Sequence, residues 1–142
     1  MLNLLIATHR DRNPGNLYGT TFSGGANNGG TVFKLTPTGT ETVLYSFGSQ
    51  SGDGSNPFGG FLVFDKKGNL YGTTFSGGAN NGGTVFKLTP TGAETVLYSF
   101  GSQSGDGSQP WAGLVFDKKG NLYGTTHGGG AYGGGTVFKL TP

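Results

Sequence analysis

Apolar and β-branched residues in this chain come in short runs separated by clusters of Gly, Pro, Asn and Ser. Four such runs recur. FLVFD at 61–65 leads through the turn KKGN to LYGTTF at 70–75. The loop SGGANNGG then leads to TVFKLT at 84–89, and the turn PTG leads to ETVLYSF at 94–100. Aromatic and β-branched runs bounded by turn residues are the signature of β-strands. No segment repeats its apolar positions every 3.6 residues, so the pattern predicts almost no helix. Neither side of these strands is cleanly polar: Val96 and Tyr98 alternate with Thr95 and Leu97. Such strands belong in a sheet covered on both faces.

The runs repeat as a set. Residues 15–67 return at 68–119 with four substitutions and the deletion of Phe61, and 120–142 begin a third copy that reads through TVFKLTP. Residues 1–14 form an atypical N-terminal segment. A period near 50 residues with four strand runs fits the four-stranded antiparallel blade of a β-propeller. A β-solenoid, whose coils are usually shorter, is the main alternative. The expected fold is therefore all-β, with about three blades per chain. Propellers close with about four to eight blades. Closure is thus expected through a homo-oligomer, foremost a two-fold dimer with six blades. Three-chain or open filamentous stacking is the runner-up, and a fragment of a longer self-closing array is the alternative. Leu2 to Thr8 is expected to add a strand, foremost at the inner edge of the first blade, with the outer edge of the third as the alternative.

In an antiparallel meander, alternate connections fall at opposite ends. The short turns DKKGN and TPTG should share one end, and the long loops SGGANNGG and GSQSGDGSNP the other. Differences between copies gather at the long-loop end. Asn56 becomes Gln109, Phe58 becomes Trp111 and Gly59 becomes Ala112. Phe75 becomes His127, Ser76 becomes Gly128, Asn80 becomes Tyr132 and Asn81 becomes Gly133. Only Thr40 to Ala93 maps to the short-turn end. Variable loops on a fixed scaffold are where binding usually resides. Simple drift of loops is the competing explanation.

The candidate ligand-binding residues are Asn27, Asn28, Asn80, Asn81, Trp111, His127 and Tyr132. Trp111 and Tyr132, with Phe58, offer flat apolar faces beside amide donors and acceptors, the mixed surface that a sugar presents in return. Next to a strand run and following a Pro, Trp111 and Phe58 are more often wedges packed between blades; Tyr132 is the better candidate for an exposed contact. Catalytic and metal residues are expected to be absent, and no cofactor is expected. Asp53 and Asp106 each stand alone as the carboxylate of an SGDGS loop, whereas a calcium loop needs several oxygen ligands at alternating positions. An Asp in such a turn usually bonds its own backbone. The string HGGG at 127–130 resembles an esterase oxyanion loop, but no GxSxG nucleophile elbow accompanies it. The GxGxxG spacing at 128–133 is followed by a strand run where a dinucleotide site needs a helix. The chain therefore reads as a non-enzyme.

Composition narrows the picture further. Glycine takes 31 of 142 positions, charged residues are only 11%, and the net charge is +2. Abundant glycine with few charges and many aromatics disfavours disorder. Lys66-Lys67 and Lys118-Lys119 sit in expected turns, without the wide basic stripe of a nucleic-acid binder, so no nucleic-acid partner is expected. There is no cysteine, which excludes disulfides and thiolate metal sites. No apolar run approaches the length of a membrane span, so no membrane insertion is expected. The opening MLNLLIATHRDR lacks a basic stretch before its short apolar run and reads poorly as a signal peptide.

The strings GNLYGTT, GGTVFKLTP and ETVLYSF resemble the GloVer tandem repeat of bacterial proteins that carry a choice-of-anchor tail. The resemblance spans 15–142. It implies a secreted or cell-surface β-repeat protein. The expected function is a binding or adhesion module, with a glycan as the candidate partner. A purely structural self-assembling scaffold without a specific ligand is the alternative.

Overall fold

A computed structural model of the chain describes residues 4–5, 15–58 and 61–142. Gly59 and most of the segment 1–14 lie outside the described residues. Among the described residues, fifteen short strands run in order: β1 (Leu4–Leu5), β2 (Leu17–Thr21), β3 (Thr31–Leu35), β4 (Glu41–Ser46), β5 (Gly54–Ser55), β6 (Val63–Phe64), β7 (Leu70–Thr74), β8 (Ser76–Gly77), β9 (Thr84–Leu88), β10 (Glu94–Ser99), β11 (Gly107–Ser108), β12 (Val115–Phe116), β13 (Leu122–Thr125), β14 (Gly128–Gly129) and β15 (Val137–Leu140). Among the described residues there is no helix.

The strands form three repeat sheets and two small linking sheets: β1-β2-β3-β4, β6-β7-β9-β10, β12-β13-β15, and the pairs β5-β8 and β11-β14. All pairings are antiparallel. Register repeats with the sequence: Leu17 faces Leu35, Leu70 faces Leu88 and Leu122 faces Leu140. β1 pairs with β2 along the edge that β6 occupies on β7. The run expected at 61–65 pairs only over Val63–Phe64.

Local chemistry explains the elements. At the DKKGN turn, Asp65 Oδ1 accepts from the backbone N–H groups of Lys67 (2.8 Å) and Asn69 (2.9 Å). Gly68 supplies the left-handed φ of 82° that closes the turn. Across β7 and β9, Gly72 faces Phe86. A Cβ at Gly72 would lie 2.7 Å from Phe86 Cζ. The ring therefore folds over a backbone without a side chain, and the same Gly–Phe pair recurs as Gly19–Phe33 and Gly124–Phe138.

The core lies between repeat sheets. Val32, Phe47, Leu62, Leu70, Phe86 and Leu88 pack between the first and second. Tyr71, Val85, Phe100, Leu114 and Leu122 pack between the second and third. Equivalent ring pairs bridge the two junctions, Phe47–Phe86 and Phe100–Phe138, each with centroids 5.0 Å apart. The middle sheet is thus covered on both faces, as its apolar residues on both sides require. The two long loops share one end: the N–H of Phe100 donates to Gly83 O (2.9 Å), and the N–H of Gln109 donates to Gly82 O (2.7 Å).

Candidate functional site

At the long-loop end, aromatic side chains from successive copies form one row. Phe22, Phe75 and His127 each follow a GTT string, and Phe58 and Trp111 each follow a proline. Phe22 meets Phe58 edge-on with centroids 5.7 Å apart. Phe58 stacks on Trp111 at 5.3 Å and 29°. Phe75 lies 6.2 Å from both Phe58 and Trp111. Trp111 in turn lies 4.3 Å from His127. Phe58, Trp111 and His127 are exposed, and Phe22 and Phe75 half-buried. The row is therefore both a junction between copies and a surface, which merges the wedge and contact readings of Phe58 and Trp111.

Backbone geometry sets the row. Asn56 and Gln109 adopt left-handed φ values of 55° and 57°. Each donates its N–H into its own repeat, to Gly29 O and Gly82 O, at 2.7 Å. Each accepts from the next copy, Asn56 O from the Phe75 N–H at 3.0 Å and Gln109 O from the His127 N–H at 2.9 Å. The Asn56 side chain also donates Nδ2 to Phe22 O at 3.0 Å. Pro57 and Pro110 then turn inward and are buried, which leaves the following aromatic outside. The linking sheets β5-β8 and β11-β14 reinforce the same crossing between copies.

The amides divide into two kinds. Asn28 and Asn81 hold left-handed φ values of 58° and 56°, and their Oδ1 atoms accept from Gly24 N (3.2 Å) and Gly77 N (3.0 Å). They close their loops. Asn27 and Asn80 lie beside them at the exposed tips. In the third copy Gly133 takes the left-handed position with φ 74°, and Tyr132 stands 100% exposed.

The two SGDGS aspartates tie their own loops. Asp53 Oδ2 accepts from Tyr45 OH (3.0 Å), Ser49 N (2.9 Å) and Ser49 Oγ (3.2 Å). Asp106 Oδ2 repeats this with Tyr98 and Ser102. Burial raises the Asp106 carboxyl, but the bonds from Ser102, Tyr98 and Gly107 outweigh it and hold it below the ordinary range. Burial, aided by the Asp53 charge, pushes Tyr45 up to about 12. Among the described residues, Asp53 Oδ1 and Glu94 Oε1 are buried without a hydrogen-bond partner. Burial first, and then the Asp53 charge, raises Glu94 to about 7.

Among the described residues, no group of three or more His, Cys, Asp or Glu side chains could hold a metal ion. Gly128 and Gly129 of the HGGG string are strand residues paired with Ser108 and Gly107, and His127 is engaged in the aromatic row. No helix among the described residues is long and apolar enough to cross a membrane.

The sequence pointed to Trp111, His127 and the loop asparagines one by one. It did not reveal the row or the linking sheets. The available signal was an aromatic after GTT and after Pro in successive copies, two positions that only folding brings together. No curated protein matches the chain at significant similarity. The model of the Gloeobacter/Verrucomicrobia repeat family matches residues 6–142. With nearly its whole length in that match, the chain belongs to the Gloeobacter/Verrucomicrobia repeat family.

Proposed function

We propose that this chain is a non-catalytic repeat module for surface binding or adhesion, with the long-loop end as its contact face and a glycan as its ligand. The observation that carries this reading is the partly exposed aromatic row, which joins three copies into one continuous strip of rings. Ring faces of this kind stack on the C–H faces of sugars, and Asn27, Asn80 and Tyr132 add polar groups on the same end. Repeat units at 15–67, 68–119 and 120–142 act as blades of a propeller closed by a homo-oligomer, foremost a six-bladed dimer. A secreted or cell-surface location fits the bacterial repeat family.

A glycan array with the parent chain and Trp111→Ala tests this reading. Reproducible sugar hits that disappear in the variant support it. An array without hits favours the second reading, a structural scaffold that binds only itself. One observation speaks for that second reading: Val32 and Val85 are 0% exposed, while Val137 at the same position in the third copy is 80% exposed.

A further inference from the structure

The short-turn end carries a different surface. A cleft of about 590 Å³ opens there between the second and third repeat sheets. Its rim holds Lys66, Lys67, Lys118 and Lys119 from two successive DKKGN turns, and its wall holds Lys87 from β9. The four turn lysines are exposed. Two aspartates share the cleft, Asp65 and Asp117, but their oxygens face their own turns. Asp65 Oδ2 accepts from Asn69 Nδ2 (2.7 Å) and Tyr71 OH (3.0 Å), and Asp117 Oδ2 accepts from Asn121 Nδ2 (2.7 Å) and Tyr123 OH (3.2 Å). Their Oδ1 atoms accept backbone N–H groups. None of these bonds goes to a lysine ammonium. Five lysines therefore line one cleft whose two aspartates are already engaged in their own turns.

We propose that this cleft binds a linear acidic polysaccharide, with carboxylate or sulfate groups seated on the paired lysines of successive repeats. The charge balance favours that class over nucleic acid. Double-stranded DNA carries a charge every ~1.7 Å, and some phosphates would be forced against Asp65 and Asp117. A polysaccharide with about one anionic group per sugar passes the aspartates on its neutral segments. The chain's net charge of only +2 also denies it the broad field that nucleic-acid binders use. The site is at the end of the fold opposite the aromatic row and stands independently of it.

The test is titration of the intact chain with polygalacturonate oligosaccharides and heparin oligosaccharides, which separate carboxylate from sulfate recognition. Neutral dextran, duplex DNA and inorganic sulfate serve as comparisons. The expected result is binding of one or both acidic sugars that weakens with added salt. Joint replacement of Lys66, Lys67, Lys118 and Lys119 by Gln should reduce it about tenfold or more, while joint replacement by Arg retains it. Lys34→Gln with Lys139→Gln, outside the cleft, should leave it unchanged. Equal loss in the Lys34 and Lys139 variant would overturn the proposal, because net charge alone would then explain binding. So would DNA binding as tight as that of the acidic sugars, response to inorganic sulfate only, or no response to any polyanion.

Discussion

Trp111 and His127 meet across the junction between the second and third copies, with ring centroids 4.3 Å apart and planes tilted by 32°. Phe75, at the position of His127 one copy earlier, lies 6.2 Å from the same tryptophan. Trp111 thus sits between two members of the row and presents the widest ring in it. Replacement of Trp111 by Ala should abolish glycan-array hits. Its side chain is only partly covered, so the stability cost should be about 1 kcal/mol. Trp111→Phe, which restores the residue of the first copy, should keep most of the binding. Array signals together with denaturation midpoints check this. Undiminished hits in the alanine variant would remove the row from the binding face.

Glu94 gives the fold a dependence on pH. Its folded value of about 7 lies above the ordinary 4.5 because of burial and then the Asp53 charge. Between those values the folded chain holds a proton that the unfolded chain has lost. Stability should therefore be highest below about pH 4.5 in this contribution and fall as pH rises toward 7. Glu94→Gln removes the titration and should make the chain more stable than the parent above pH 7, with a flatter profile. Urea midpoints at pH 5 and pH 8, about one unit or more from the folded value, measure the difference. A parent and variant with parallel profiles would show that folding does not raise Glu94.

Gly72 and Gly105 separate two roles of glycine. At Gly72 a Cβ would meet Phe86 Cζ at 2.7 Å and Leu62 Cδ2 at 2.8 Å, both in the packed core. Gly72→Ala should cost about 1–3 kcal/mol through overpacking. Gly105 has φ 81° with nothing within 4 Å of an added Cβ, so Gly105→Ala should cost about 1 kcal/mol through backbone strain alone. Equilibrium denaturation of the two variants gives the comparison. A milder effect at Gly72 than at Gly105 would contradict the close approach of the Phe86 ring.

The contrast between these glycines marks what could be read in advance. The strand runs were legible because β-branched alternation and turn residues such as Asp65 and Gly68 act over a few positions. The common end of the two long loops followed from antiparallel parity. The linking sheets were not legible, because Gly54-Ser55 and Ser76-Gly77 have little strand propensity and pair only when copies pack. The left-handed Asn56 and Gln109 looked like ordinary loop amides. The Asp53 charge acts on Glu94 from a different copy, and no local pattern announces it.

Val137 tests the link between repetition and assembly. Val32 and Val85 occupy its position in the earlier copies and are 0% exposed, because the next repeat sheet packs on them; Val137 is 80% exposed. Val115, on β12 of the same sheet, is 62% exposed. An apolar sheet face of this kind favours association, and the face that would complete it has already been built twice within the chain. Light scattering of the parent should therefore give a mass above 14.5 kDa, with two copies as the foremost state. Val137→Asp places a charge on that face without entering the core of the single chain, so it should shift the mass toward 14.5 kDa and leave far-ultraviolet circular dichroism unchanged. Val85→Asp, by contrast, buries the charge and should unfold the chain. A parent that is monomeric at all concentrations, or a Val137 variant that assembles as the parent does, would show that this face does not carry the association.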